Sequence, residues 1–148
     1  MSKIVSKEFF SENVVKLEVE APLIARSRKA GHFVIVRVDA NGERIPLTIA
    51  DSDTEKGTIT LVIQKIGASS TKITNLNVGD ELLDVVGPLG KATHIDKFGT
   101  VVCSGGGVGV APLLPIIKAM KAAGNKVISV LAARTKDLVI LEEQVREY

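Results

Sequence analysis

The chain has 148 residues, which is enough for one domain, or for one small complete domain and part of a second. Its 45% hydrophobic and 24% charged residues are typical of a globular protein with a buried core and exclude extended disorder. The 19 Lys and Arg residues nearly balance the 17 Asp and Glu residues and form no basic stripe, which argues against nucleic acid as the partner.

Residues 1–98 have the pattern of short β-strands joined by turns. Val15, Leu17 and Val19 alternate with charged residues, which predicts a strand with one buried face. Further strands are predicted at residues 32–38, 44–50, 58–66 and 79–86, with a tight positive-φ hairpin at Asn41-Gly42 and a reverse turn over residues 53–57. Short strands without long helices between them predict a six-stranded antiparallel barrel.

Residues 99–148 have a different pattern. A short strand at residues 100–103 leads through a glycine loop to a predicted helix over 112–123, and a second strand follows at residues 126–132. Pro112 suits the first helical turn and Gly124 the C-terminal stop, and another helix is predicted to begin at residues 142–147. A strand, a helix and a strand build a parallel sheet, and two parallel strands are not independently stable. We therefore interpret this region as an incomplete parallel α/β nucleotide-binding domain.

Two further observations concern the cellular setting. Cys103 is the single cysteine, so this chain alone can build neither an internal disulfide nor a cysteine-rich iron–sulfur site. The N-terminus lacks the long apolar core of a secretory signal, and the uncharged run at residues 101–117 contains four glycines and two prolines. We therefore expect no membrane span and a reducing, cytoplasmic location.

The strongest functional signal is the segment Ser-Gly-Gly-Gly-Val-Gly-Val-Ala-Pro at residues 104–112, between a strand and a helix. Glycines let the backbone approach a ligand closely, and a helix N-terminus presents free N–H groups to phosphate. Its spacing does not match G-x-G-x-x-G, so the segment fits either phosphate or nicotinamide contact or a tight crossover without a ligand. The candidate ligand-binding residues are Gly105, Gly106, Gly107, Val108, Gly109 and Pro112.

Two segments of the predicted barrel are also candidates. Gly67, Ser70 and Thr71 offer a glycine and hydroxyls at a helix start, which suits either a pyrophosphate or an ordinary N-cap. In the other segment, a strand end carries Arg44, Pro46, Leu47 and Thr48. These residues could line a flavin and its phosphates, or form an edge strand with one solvated arginine.

The order of these motifs carries a specific resemblance. Arg-x-Pro-Leu-Thr at residues 44–48, Gly-x-x-Ser-Thr at 67–71, Gly-Pro-Leu-Gly at 87–90 and Gly-Gly-Gly-Val-Gly-Val-Ala-Pro at 105–112 resemble the ferredoxin–NADP reductase superfamily. Within it the chain is most similar to the FAD subunit of NAD(P)H–ferredoxin oxidoreductases, also called sulfide dehydrogenase β subunits. Dihydroorotate dehydrogenase electron-transfer subunits are close relatives. The resemblance covers the whole chain, and the chain covers about the first half of such a subunit.

The resemblance implies an FAD-binding barrel over residues 1–98 and, over residues 99–148, the N-terminal part of an NAD(P)-binding domain. It implies hydride exchange between NADP or NAD and the flavin, and single-electron exchange with an iron–sulfur or dehydrogenase partner subunit or ferredoxin in a hetero-oligomer. The [2Fe-2S] cluster is expected outside this segment. By position, the resemblance implies that five residues contact the flavin: Pro46, Leu47, Thr48, Ile63 and Gln64. It implies that Ser70 and Thr71 bind the pyrophosphate and that residues 105–112 face the nicotinamide.

Two positions depart from the family pattern, and one question about the nucleotide stays open. Ile45 stands where the family usually has arginine, and Leu47 where an aromatic ring often stacks on the flavin. Arg134, just after the second parallel strand, favours NADP over NAD because a cation accommodates a 2′-phosphate, although it could equally be a solvated loop residue.

Other functions and sites remain as alternatives. The chain could be a dihydroorotate dehydrogenase electron-transfer subunit, or a non-catalytic nucleotide-binding barrel, which the 3% aromatic content disfavours. His32 and His94 have no partner at metal-ligand spacing, so no metal site is predicted. Cys103 is interpreted as a small packed hydrophobic residue rather than a nucleophile.

Overall fold

The computed structural model describes residues 1–148, and the first part of the chain folds into a nearly closed antiparallel barrel. Seven strands form one sheet in the order β6-β1-β2-β5-β4-β3-β7. The strands are β1 (Ser2–Ser11), β2 (Val14–Glu20), β3 (Phe33–Arg37), β4 (Ile45–Asp53), β5 (Thr58–Gln64), β6 (Glu81–Leu82) and β7 (Asp84–Leu89). Two short helices, α1 (Pro22–Ser27) and α2 (Ala68–Thr74), lie in the connections.

The barrel closes through a single residue. The first and last strands of the sheet, β6 and β7, are separated in sequence only by Leu83. β6 pairs with β1 and β7 pairs with β3, and the Leu83 N–H donates to the Val38 carbonyl at 3.1 Å. The predicted barrel is confirmed with seven strands instead of six, because the strand predicted at residues 79–86 changes partner at Leu83 and counts as two.

The barrel core follows the predicted alternation. Val15, Leu17 and Val19 are buried, whereas Lys16 and Glu18 on the opposite face are partly exposed. Fifteen buried residues, contributed by most of the strands and by both short helices, form one hydrophobic cluster. Burial of this apolar surface is the main driving force for closing the barrel.

The β3–β4 connection corrects one prediction. Neither Asn41 nor Gly42 has a positive φ, so the tight hairpin predicted there was wrong. The loop of residues 38–44 is long enough to turn without left-handed residues, and Asp39 organises it. The Asp39 carboxylate accepts a hydrogen bond from the Asn41 N–H at 3.0 Å, and the Asp39 carbonyl accepts one from the Gly42 N–H at 3.0 Å. The hydrogen bond from Lys72 of α2 lowers the pKa of the Asp39 carboxyl.

The second part of the chain is a βαβ unit followed by a short helix. It comprises β8 (Thr100–Gly106), a 3₁₀ turn (Gly107–Gly109), α3 (Val110–Ala122), β9 (Lys126–Ala132), a second 3₁₀ turn (Lys136–Leu138) and α4 (Glu142–Arg146). β8 and β9 are parallel, as predicted. Pro112 lies in the first turn of α3, and Gly124 follows the helix with a φ of +92°.

The two-stranded sheet is covered on one face only. α3 and α4 pack on the face that carries Cys103. Val102 and Val130 lie on the opposite face and are 64% and 49% exposed. A parallel sheet normally has both faces covered, so this bare face fits the interpretation that residues 99–148 are part of a larger domain.

The barrel and the βαβ unit share a hydrophobic core. Ala50 of β4 is buried together with Val110, Ala111 and Leu114 of α3. Beside this contact, the Lys118 ammonium donates to the Asp51 carboxylate at 2.7 Å. Burial lowers the pKa of the neighbouring Arg28, and the charge of Asp51 partly offsets that effect. β4 and α3 are therefore held side by side along the boundary.

No helix in the structure combines the length and the apolar character that crossing a membrane requires.

Candidate functional site

A cleft of about 370 Å³ lies where the ends of β4 and β5 face the start of α3. Its volume falls within the range of about 300–1,000 Å³ that is typical of small-molecule sites. Most of its lining side chains are apolar, and Thr48, Gln64 and Ser70 supply polar groups. Nine residues that the sequence singled out line this cleft: Pro46, Leu47, Thr48, Ile63, Gln64, Ser70, Val108, Gly109 and Pro112.

Strand pairing positions the barrel wall of this cleft. β4 pairs with β5 in antiparallel register, with Ile49 opposite Leu61, and both side chains are buried in the barrel. The residues before Ile49 on β4 and after Leu61 on β5 therefore reach the same end of the barrel. Ile63 is 1% exposed and forms the floor, whereas Gln64 is exposed at the edge.

Ser70 both caps α2 and lines the cleft. Its hydroxyl accepts hydrogen bonds from the Ile66 and Gly67 N–H groups, each at 2.9 Å, and donates to the Gly67 carbonyl at 3.1 Å. The Ser70 hydroxyl therefore bonds to backbone groups at the start of α2, as an N-capping role implies, and the Ser70 side chain also borders the cleft. Gly67 and Thr71 belong to the same helix start but do not line the cleft.

α2 is fixed at both ends by contacts distant in sequence. The Lys7 ammonium donates to the Thr74 and Leu76 carbonyls at 2.7 and 2.8 Å, which satisfies the C-terminal end of the helix. At the N-terminal end, the Ser69 hydroxyl donates to the Glu43 carboxylate at 2.6 Å. The helix start that borders the cleft is thus held in place by the rest of the barrel.

Arg44 lies away from the cleft. Its side chain is 59% exposed and pairs with Asp84 of β7 at 3.7 Å. The other residues of the same motif, from Pro46 to Thr48, line the cleft. In this arrangement Arg44 contributes no charge to the cleft wall.

The glycines of the loop after β8 serve different purposes. Gly107 has a φ of +56°, a left-handed conformation that favours glycine. A Cβ on Gly105 would lie 3.1 Å from Leu113 Cδ2 and 3.2 Å from the Gly109 carbonyl oxygen, so tight packing favours glycine there. Gly109 has helical angles, and a Cβ on it would meet nothing within 4 Å. Neither backbone conformation nor packing explains why residue 109 is glycine. The missing side chain leaves the cleft wall open to a ligand at this position.

A second cleft of about 570 Å³ adjoins the first on the other side of the glycine loop. Gly106 and Gly107 line it together with Arg134, which follows β9. Gln64 and Val108 line both clefts. Twelve of the sixteen predicted site residues therefore line two adjoining cavities that share two side chains, whereas Arg44, Gly67, Thr71 and Gly105 line neither cavity.

Several lining residues were not predicted from the sequence. Ile66 borders the first cleft and is 79% exposed, an unusual position for a large apolar side chain. Ser11 and Asn13 border the second cleft from the β1–β2 turn. They reach Gln64 because Val14 pairs with Gln64 across β2 and β5, a long-range register that no local motif reveals.

Cys103 lies in the middle of β8, is 5% exposed and packs in the core shared with α3. Burial raises the pKa of its thiol, which disfavours the reactive thiolate.

We predict that Cys103 of the native protein reacts with a thiol reagent such as iodoacetamide at least about tenfold more slowly than in the denatured chain at pH 8, because burial limits both access and ionisation. Mass spectrometry of timed samples measures this ratio. Equal rates would contradict the assignment of Cys103 to the core.

Comparison with known proteins defines the family. Residues 1–94 match the family described as the oxidoreductase FAD-binding domain, so this chain belongs to that family. It is 41% identical over 147 residues to a dihydroorotate dehydrogenase B electron transfer subunit homolog of Thermotoga maritima, covering 99% of this chain and 52% of that protein. The electron transfer subunit of Streptococcus pneumoniae is 34% identical over 151 residues and is covered to 60%. The chain thus spans little more than half of these relatives.

A solved structure agrees closely. An NADH-dependent reduced ferredoxin–NADP oxidoreductase superposes with a TM-score of 0.94 at 42% identity, over 97% of this chain and 52% of the other. Phthalate dioxygenase reductase, at 17% identity and a TM-score of 0.80, shares the fold. The predicted resemblance and the predicted barrel with a parallel extension are confirmed.

The first cleft fits the FAD that the family binds. Its apolar strand ends suit a flat ring system, and Thr48 and Gln64 provide hydrogen-bonding side chains at its edge. The space in front of Gly109 would be filled by any larger side chain, which is the arrangement expected for close approach of a ligand to the backbone.

Proposed function

We propose that this chain is the FAD-binding part of an NAD(P)H-dependent flavin oxidoreductase, together with the first part of its nucleotide domain. The proposed boundary lies between residues 98 and 99. The observation that carries the proposal is the junction of the two clefts at Gln64 and Val108. Ligands in these cavities would meet at that junction, as hydride exchange between two redox rings requires.

The proposed roles follow the two clefts. Pro46, Leu47 and Thr48 of β4, with Ile63 and Gln64 of β5, hold the flavin ring, and the helix start at Gly67, Ser70 and Thr71 binds the pyrophosphate. The loop from Gly105 to Pro112 faces the nicotinamide, and Arg134 binds a 2′-phosphate. Arg44 would have to leave Asp84 to reach a phosphate. When bound, FAD supplies the hydride and electron chemistry, while the protein positions the reacting groups.

The partners are part of the same proposal. The intact protein would pass electrons to ferredoxin or to an iron–sulfur or dehydrogenase subunit within a cytoplasmic hetero-oligomer. The single cysteine of this chain cannot hold a [2Fe-2S] cluster, so the cluster would be bound by residues outside this segment. Support comes from two of the relatives, which are named as electron transfer subunits.

Titration of the purified chain with FAD tests the proposal. We expect a yellow protein that retains FAD on a desalting column, because all the residues proposed to hold the flavin ring line the first cleft, the proposed flavin cleft. We expect NADH and NADPH to bleach it slowly or not at all, because the chain spans little more than half of the length of its relatives. A protein that takes up no FAD would contradict the proposal and favour the non-catalytic barrel.

A second candidate is the electron-transfer subunit of a dihydroorotate dehydrogenase, which the identities of 41% and 34% to such subunits favour. The flavin cleft is expected to be the same in both cases. The two differ in the partner, so binding of a purified dihydroorotate dehydrogenase catalytic subunit, compared with ferredoxin, distinguishes them.

Arg134 allows a separate prediction about the nucleotide. In FAD-loaded protein, Arg134→Ala is expected to weaken NADP⁺ binding about tenfold relative to NAD⁺, because a charged hydrogen bond to the 2′-phosphate is lost. Equilibrium titrations with both nucleotides measure the ratio. Lys136→Ala is the matched control, since Lys136 lines a different cavity. An unchanged ratio in Arg134→Ala would leave Arg134 as a solvated loop residue.

A further inference from the structure

A large groove lies along α3 on the far side of the barrel contact from the flavin cleft. It measures about 1,040 Å³ and is bordered by residues 28–30, by residues 91–95 and by the second half of α3. With a rise of about 1.5 Å per residue, Ala119 lies roughly 10 Å along the helix from Pro112 of the flavin cleft. None of its lining residues belongs to the two clefts described above.

Positively charged side chains line this groove, which we call the cationic groove. Arg28, Lys29, Lys91 and Lys118 contribute permanent cations, and no aspartate or glutamate lines the groove. Four of the 19 Lys and Arg residues of the chain line this one groove. Such a concentration in a concave surface strengthens the local field and steers anionic partners towards it.

The four cations fall into two pairs. Arg28 and Lys118 are tied to β4: the Lys118 ammonium lies 2.7 Å from Asp51 Oδ2, and Arg28 Nε donates to the Ser52 hydroxyl at 2.7 Å. Lys29 and Lys91 are exposed and take part in none of the ion pairs of the chain. The inner pair shares the single negative charge of Asp51, whereas the outer pair has no carboxylate partner.

The two segments that carry the outer pair are joined to each other. The Thr93 N–H donates to the Ala30 carbonyl at 2.9 Å. A Cβ on Gly31 would lie only 2.5 Å from the Thr93 hydroxyl, so the segments are in close contact. Lys29 and Lys91 consequently extend from one continuous rim.

The shape and the backbone polarity favour a protein segment over a free phosphate. Five of the nine other lining residues are alanines, among them Ala30, Ala92 and Ala119, and they form an alanine wall between the cations. Ile95 and Pro115 extend this apolar centre, Thr93 and His94 add polar groups, and the cations form a charged rim, as in protein interfaces. The groove also borders the C-terminal half of α3, whose carbonyl end carries partial negative charge. No helix N-terminus, the backbone site at which compact phosphates bind, lines the groove.

We propose that the cationic groove docks an acidic segment of a partner protein, with Lys29 and Lys91 pairing with its carboxylates and the alanine wall packing against its apolar side chains. This surface shares no lining residue with the flavin cleft, so we expect substitutions in it to leave FAD binding unchanged.

A fluorescent short peptide of alternating Glu and Ala residues is the probe, and its Gln counterpart the uncharged control. We expect the acidic peptide to bind the FAD-loaded chain, with affinity falling as the salt concentration rises from about 20 to about 200 mM. Lys29→Glu combined with Lys91→Glu is expected to weaken binding at least about tenfold. Lys3→Glu combined with Lys56→Glu makes the same charge change elsewhere on the barrel and is expected to change binding less than about twofold.

Three results would overturn the proposal: no binding of the acidic peptide, equal weakening by both double variants, or displacement of the peptide by inorganic pyrophosphate at equal concentration, which would indicate a small-anion site. FAD titration of the same variants checks folding and the flavin cleft separately. If the glutamate variants fail to fold, Lys29→Gln with Lys91→Gln provides the same comparison with a smaller charge change.

Discussion

Gly109→Val is expected to weaken FAD binding at least 100-fold, about 2.7 kcal/mol, while the chain folds normally. Gly109 has helical backbone angles, and beyond its neighbours in the chain a Cβ at this position would have no protein atom within 4 Å, so we expect the fold to accept a side chain there. Its methyl groups would instead enter the cleft that Gly109 lines. Fluorescence titration with FAD measures the affinity, and thermal unfolding of the apoprotein measures stability.

Ala122→Val is the matched control for this substitution. It adds bulk of similar size at the end of α3, the helix that follows Gly109, at an exposed position outside the flavin cleft. We expect its FAD affinity to stay within about twofold of the wild type, since surface substitutions usually have small effects. Tight FAD binding by Gly109→Val would show that the cofactor lies elsewhere.

Asn125→Leu is expected to cause the largest loss of stability. Asn125 is 3% exposed, and its side chain makes four hydrogen bonds to backbone groups. Oδ1 accepts from the Phe98 and Gly99 N–H groups at 2.6 and 2.9 Å. Nδ2 donates to the Asp96 and Met120 carbonyls at 2.8 and 2.9 Å.

Leucine is close in size but leaves those four backbone groups without partners. Each unmade buried hydrogen bond costs about 1 kcal/mol or more, and the groups at residues 96–99 can partly rehydrate, so we expect a loss of about 3 kcal/mol. For a chain of this size, this corresponds to a decrease in Tm of roughly 10 °C. Urea unfolding and calorimetry measure both quantities.

Asn75→Leu provides the comparison for a general effect of replacing asparagine. Asn75 is exposed at the end of α2, and we expect a change below about 0.5 kcal/mol. Similar losses in the two variants would mean that the hydrogen bonds of Asn125 contribute little to stability.

Local patterns were sufficient to predict most of the architecture. Strands can be recognised when the sequence itself shows their burial. In β2, Val15, Leu17 and Val19 alternate with charged residues, and β9 is an apolar run. Gly124 could be recognised as a helix stop because left-handed backbone favours glycine. The Asn41-Gly42 prediction failed because a longer loop, organised by Asp39, removed the need for positive φ.

The cleft was harder to predict than the elements that build it. Thr48 and Gly109 could be singled out because short motifs mark them. Asn13 enters its cavity only through the pairing of β2 with β5, and Arg44 turns towards Asp84, which lies on a strand distant in sequence. Such placements are set by long-range register and charge pairing, which a single sequence does not reveal.

The core shared by Ala50 and the start of α3 has a thermodynamic consequence. One wall of the flavin cleft belongs to the barrel and the other to the βαβ unit, so a bound cofactor can contact both only while both are folded. Its binding free energy is then added to the stability of the entire chain, about 2.7 kcal/mol when the free cofactor exceeds its Kd 100-fold. Loss of the cofactor would accordingly lower the resistance of both halves to unfolding and proteolysis together.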